Sequence, residues 1–172
     1  MKFEHLVQIN DPALPGVDWM TRQQLWFGLV ARAWKPTRFI LGLEDAQVME
    51  TGQQGAVTTL SRVLNYGPFQ ISDITELHEE ERTETRIAAN QFCGDSTLTI
   101  SIEEPVEGEL WLRFKYQVSD APDSEGVPGA SSSDMDEIRK QAYKAADIDT
   151  VQMIRELALA MPQHTPGQRK DH

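Results

Sequence analysis

Glu109-Leu110-Trp111-Leu112-Arg113-Phe114-Lys115-Tyr116-Gln117-Val118-Ser119 is the stretch on which the fold class turns. Leu110, Leu112, Phe114, Tyr116 and Val118 fall on one face, and Trp111, Arg113, Lys115 and Gln117 on the other. That period of two is a strand with one dry face and one wet face. Upstream, the same period predicts strands over Ala46–Thr51, Ala56–Tyr66, Phe69–His78, Arg82–Gln91 and Ser96–Glu103. Turn signals separate them: Gly52-Gln53-Gln54-Gly55, Gly67-Pro68, the charged His78–Glu81 run, Gly94-Asp95, and Glu104-Pro105 with Gly108. Separations this short call for hairpins, hence an antiparallel meander. Phe3, His5, Val7 and Ile9 alternate in a further strand at the start of the chain.

Helical periods flank the meander. Thr21 and Gln24 have capping-box spacing, and Leu25, Trp26, Leu29, Val30, Ala33 and Trp34 follow as a broad apolar stripe. Lys35-Pro36 ends that helix, because proline disfavours the helical conformation in the residue before it. One more short helical turn is expected over Thr37 to Leu41. After the last strand, Asp120 to Ser132 is rich in Pro, Gly, Ser and Asp and reads as a loop. A long helix is expected next, opened by an Asp134/Glu137 capping box. Its apolar side holds Met135, Ile138, Ala142, Ala145, Ile148, Val151, Ile154, Leu157 and Met161; its polar side holds Asp136, Arg139, Lys140, Lys144, Asp147, Gln152 and Arg155. The sheet's dry face must be covered, and only this helix is long enough to lie across it. The prediction is an α+β chain: a curved antiparallel sheet of about seven strands around a long C-terminal helix, with two N-terminal helices closing an apolar cavity. Residues 1–161 form the domain and 162–172 a flexible tail.

Bulk properties exclude several functions. A formal charge of −11 opposes nucleic acid and anionic lipid surfaces, both of which need clustered Lys and Arg. Cys93 is the only cysteine, so thiolate metal cages and an internal disulfide are excluded, and it reads as a small apolar filler. No run approaches the roughly 20 apolar residues that span a membrane, and the start lacks the apolar core of a signal peptide. The expected compartment is the cytoplasm.

Particular residues then carry a resemblance. Leu25-Trp26-x-Gly28-Leu29-Val30, Pro36, Phe39 and Gly42-Leu43 resemble the N-terminal segment of the AtaL-like family, a bacterial and fungal domain of unknown function. Ser101-Ile102-Glu103, Leu110-x-Leu112-Arg113-Phe114-x-Tyr116 and Asp149-Thr150-Val151-x-x-Ile154-Arg155-Glu156-Leu157 are similar to the same family. The resemblance runs to about Met161 and places the chain in the SRPBCC superfamily, with START domains, pollen-allergen-like carriers and polyketide aromatase/cyclases. It implies a helix-grip fold. It implies no single activity, since members bind, carry, cyclise or hydroxylate.

No catalytic constellation is visible. Of the histidines, only His5 falls on an apolar face, and nothing local in sequence pairs with it. No His/Cys/carboxylate group has ligand spacing, and no glycine-rich loop precedes a helix, so no metal and no cofactor are expected. The acidic run around Glu76, Glu79, Glu80, Glu81 and Glu84 reads as a solvated hairpin. The informative residues are polar ones among apolar neighbours. Arg62 shares a face with Leu60 and Leu64; if that face is the dry one, it must be paired with Asp73 on the next strand or present its fork to a ligand, and otherwise both lie on the wet face. Tyr116 needs a partner for its hydroxyl, from backbone or from a ligand. Trp26, Val30, Trp34 and Phe39 from the helical segment and Phe114 from the last strand complete the expected cavity wall.

The leading expectation is a binding protein for a small hydrophobic ligand, aromatic or polyketide-like, rather than an enzyme. A metal-independent cyclase or aldol-type enzyme using the same cavity is the alternative. An interaction protein, for example a homodimer joined through an outward Trp111, is the third reading.

Overall fold

In the computed structural model, residues 1–14, 16, 18–91, 94–119 and 132–160 are described. The chain order is β1 (Lys2–Gln8), α1 (Arg22–Trp34), a 3-10 turn (Pro36–Arg38), β2 (Asp45–Gln54), β3 (Val57–Asn65), β4 (Gln70–His78), β5 (Arg82–Ile87), β6 (Ser96–Glu103), β7 (Trp111–Val118) and α2 (Ser132–Ala160). The strands form one seven-stranded sheet, ordered β1-β7-β6-β5-β4-β3-β2. Every pairing is antiparallel. A meander thus fills most of the sheet, and β1 closes it by returning against β7.

The register carries the dry face across the sheet. Phe3, His5 and Val7 stand opposite Tyr116, Phe114 and Leu112, which in turn stand opposite Leu98, Ile100 and Ile102. Phe114, Ile100, Leu112 and Ile102 are buried with Leu25 and Leu29 of α1 and Val151, Ile154 and Ala158 of α2. A smaller cluster, Ala33, Leu60 and Leu77, closes the other side, and Trp26 packs against both clusters. At about 25 cal/mol per Å² of buried apolar area, this layer is the main stabilising term.

The expected capping box at Thr21 is complete: Gln24 N donates to Thr21 Oγ1 at 3.1 Å, and Thr21 N donates to Gln24 Oε1 at 2.9 Å. α1 meets α2 at Gly28, where any Cβ would collide with Ile154, so only glycine allows the two helices to close there. Asn10, fully buried, ties the first loop down: its amide donates to Met20 O and Gly108 O and accepts from Met20 N.

Several boundaries differ from the sequence reading. β2 continues through Gly52 with a bulge near Glu50, so the turn before β3 is only Gly55-Ala56, with Gly55 at φ 61°. β5 stops at Ile87 rather than Gln91, because Ala89 N turns away to donate to Asp95 Oδ1. The short helical turn starts at Pro36, one residue before Thr37. α2 begins at Ser132, so Asp134 lies inside its first turn, where a carboxylate suits the helix dipole, and does not cap it.

The face of α2 is the largest difference. Met135, Ile138, Ala142, Ala145 and Ile148, expected on the buried side, are exposed, whereas Asp147 and Thr150 are buried. The expected stripe holds only from Val151 onward. Cys93, the 120–131 segment and the tail from 161 lie outside the described residues. Among the described residues, no helix is long and apolar enough to cross a membrane.

Candidate functional site

A cavity of about 470 Å³ lies between the inner face of the sheet and the middle of α2. Leu64, Leu98, Tyr143 and Phe39 give it apolar walls, while Arg32, Arg62, Asp73, Thr85, Tyr116 and Asp147 supply polar atoms. Its exposed lining residues, Leu41, Ala142, Ala145, Ala146 and Asp149, mark the mouth. β5 contributes the small side chain of Thr85 to this wall. A concave, mostly apolar space with a few placed polar groups is the usual form of a small-molecule site.

Two polar networks line it. In the first, Arg62 and Asp73 face each other in register across β3 and β4. Arg62 Nε and Nη2 donate to Asp73 Oδ1 and Oδ2, both at 2.8 Å, and Nη1 donates to Ala33 O at 2.9 Å at the end of α1. Thr75 Oγ1 adds a donor to Asp73 Oδ1 at 3.1 Å. Both charged side chains are almost wholly buried and mutually satisfied.

The second network joins β1, β7 and α2. Tyr116 donates its hydroxyl proton to Asp147 Oδ1 at 2.5 Å, and His5 Nδ1 lies 3.3 Å from Asp147 Oδ2. Burial pushes the Asp147 carboxyl above the usual carboxylate range, with the bonds from Tyr116 and His5 offsetting part of the effect. Burial, then the Asp147 charge, raises the Tyr116 phenol. The Tyr116 ring stacks on Tyr143 at 4.1 Å between centroids, and Phe3 stacks on both.

Between the networks lies Arg32, in the last turn of α1. Its Nε is sealed from solvent and has no hydrogen-bond partner. Burial, then the neighbouring Arg62 charge, lowers its pKa.

Of the residues singled out from the sequence, Phe39, Arg62, Asp73 and Tyr116 are on the cavity wall. Trp26, Val30, Trp34 and Phe114 do not line it. Phe114 is wholly enclosed in the core, and Trp26 fills the space between the two apolar clusters. Val30 is only half-buried and Trp34 is exposed, because the buried face of α1 runs through Leu25, Gly28, Leu29 and Ala33 instead. Arg32, Asp147, Thr150 and Tyr143 were not singled out. Asp147 had one available signal, its i+4 position from Tyr143 and i−4 from Val151. Trp111 points to the outer face and is half-buried.

The outer face gathers a further group. Glu76 and His78 on β4 meet Glu84 on β5, with His78 Nε2 3.1 Å from a carboxylate oxygen of each. Among the described residues, this is the one trio with the ligand atoms to hold a metal ion. The contacts are equally those of a ring N–H between two carboxylates, and Arg82 adds a cation 3.8 Å from Glu84. The trio is not on the cavity wall.

A seven-stranded antiparallel sheet gripping one long helix around a lined cavity defines a helix-grip fold. The family described as acetylaranotin biosynthesis cluster protein L, AtaL, matches residues 7–160, and the chain belongs to it. No curated protein matches the sequence. Among solved structures, the chain is similar to the di-domain ARO/CYC StfQ from the steffimycin biosynthetic pathway. There the TM-score is 0.67 at 10% identity, over 92% of this chain and 51% of that one. The di-domain ARO/CYC BexL from the BE-7585A pathway gives 0.66 at 12%, over 94% and 51%. The ZhuI aromatase/cyclase from Streptomyces sp. R1128 gives 0.54 at 14%, over 92% and 93%. The chain spans about half the length of the two di-domain structures. At these identities the likeness shows the fold.

Proposed function

We propose that this protein binds a small hydrophobic ligand, aromatic or polyketide-like, in the cavity between its sheet and α2. The observation that carries the reading is the cavity itself: about 470 Å³ bounded by Phe39, Leu64, Leu98 and Tyr143, with polar groups confined to a few positions. Apolar walls supply affinity at about 25 cal/mol per Å² covered, and the polar groups set orientation. The aromatase/cyclase names of the similar structures are consistent with such a ligand. The test is mass spectrometry of the protein purified from its own host, under native and denaturing conditions. A mass excess that vanishes on denaturation is expected. A bare protein that also ignores neutral polycyclic aromatics would overturn the reading.

A metal-independent cyclase or aldol-type enzyme is the second reading, favoured by one observation. Tyr116 and Asp147 on the cavity wall form a continuous hydrogen-bonded chain with His5, suited to moving a proton. The raised Asp147 carboxyl is displaced in the direction a general acid requires. On this reading Tyr116→Phe and Asp147→Asn would each lower turnover by about 10²- to 10⁴-fold, with ligand affinity changing far less.

A further inference from the structure

Arg32 is the cation of the cavity that lacks a counter-ion. The neighbouring guanidinium, Arg62, has its fork on Asp73 and its remaining nitrogen on Ala33 O. The second cavity carboxylate, Asp147, already accepts from Tyr116 and meets His5. Tyr116 has one proton, and it goes to Asp147, so the phenol has no donor left for a guest. Arg32 forms no ion pair among the described residues, and its Nε is buried without a partner. Native proteins rarely leave a buried donor unpaired unless something else fills the place. A guanidinium edge matches a carboxylate, which can take two parallel N–H bonds from it.

We infer that the ligand is an aromatic acid, whose carboxylate docks on Arg32 while its ring system lies against Leu64, Leu98 and Tyr143. This rests on the ligand-cavity reading above and adds the ligand's charge and orientation. Arg62, held rigid by Asp73, acts as a wall of the site and not as its anion receptor. Arg32 enters the cavity lining from the last turn of α1 and Tyr143 from α2, so the α1 end of the cavity receives the acid group and the α2 side the rings.

Calorimetric titration with 2-naphthoate and its neutral isostere 2-naphthamide tests the inference on the whole chain. The wild-type protein is expected to bind the acid at least tenfold more tightly than the amide. Arg32→Gln is expected to bring that ratio close to one, and Arg32→Lys to retain part of it. Thermal unfolding of Arg32→Gln is expected at or above the wild-type temperature, since a desolvated guanidinium with an unpartnered Nε is removed. Equal binding of acid and amide by the wild type would overturn the inference and leave the cavity reading standing. So would an Arg32→Gln that weakens both probes alike. Failure of both probes to bind would count against the two readings together.

Discussion

Arg62 and Asp73 stand directly opposite each other on neighbouring strands and are joined by two parallel 2.8 Å hydrogen bonds, with almost no solvent reaching either side chain. Burying either charge without the other would cost several kcal/mol, because each would be taken out of water uncompensated. The pair is neutral as a unit, and Ala33 O and Thr75 absorb its remaining bonding capacity. It fixes the end of α1 against β3 and gives the cavity a rigid polar wall.

Breaking the pair from one side should therefore cost far more than removing it. Arg62→Met is expected to lose about 3–5 kcal/mol of unfolding free energy, because Asp73 is left buried and uncompensated. The double variant Arg62→Met with Asp73→Leu should recover most of that loss. Urea unfolding of the two singles and the double checks this; additive losses would contradict it.

Gly28 sets the distance between α1 and α2. Gly28→Ala forces a methyl group into Ile154 and is expected to cost about 1–3 kcal/mol by overpacking. Ile154→Ala alone should cost about 2–5 kcal/mol by leaving a hole in the core. Combined, the two should cost less than their sum, since each relieves the other. A double-mutant cycle in urea measures the coupling.

Asp147 makes stability depend on pH with a definite sign. Its carboxyl is raised in the folded protein, chiefly by burial, so the folded state holds this proton above the pH at which the unfolded chain loses it. The contribution is complete below the ordinary carboxylate value of about 4 and is lost as pH rises through the raised folded value. His5, Tyr116 and Arg32 are the ionisable groups interacting with this carboxylate, so the comparison belongs in a His5→Gln background. There, the stability of the Asp147 protein relative to Asp147→Asn should fall as pH rises from 4 towards neutral. Urea midpoints across that range provide the measurement; a flat or rising difference would refute the assignment.

Tyr116→Phe removes the hydroxyl donor of Asp147 while keeping the stack on Tyr143. The expected loss is about 1–3 kcal/mol, that of a buried acceptor without its donor. The Asp147→Asn background should reduce the loss, since a neutral amide tolerates a missing donor better than a carboxylate. Thermal or urea unfolding of the four proteins is sufficient.

Much of this fold was legible because its core strands alternate cleanly. Leu112, Phe114 and Tyr116 announce one buried face, and the short hairpins fix the meander. The Arg62–Asp73 juxtaposition was legible too, since two charged residues on apolar faces of adjacent strands have few ways to be satisfied. Asp147 was not, for a physical reason. Apolar periodicity reports which side of a helix faces packed core, and the middle of α2 faces a cavity instead. There the inward positions include Tyr143, Asp147 and Thr150, so of the stripe drawn through Ile138, Ala142 and Ile148, Ala142 reaches only the cavity mouth and the two isoleucines are exposed. Arg32 escaped notice similarly: on a helix, an arginine beside a buried stripe looks like a solvated flank until the opposing wall is known. Trp34 erred the other way, its size suggesting burial where the helix ends and turns outward.

The most direct test of the cavity as a ligand site is a fluorescence titration of the wild-type protein and Leu98→Trp with the neutral probe N-phenyl-1-naphthylamine. Leu98 lies on the cavity wall, and tryptophan there would occupy the space a guest needs. Saturable binding at one probe per chain, abolished in a folded Leu98→Trp, is the expected result. No saturable binding, or equal binding by the filled variant, would contradict the cavity as the site.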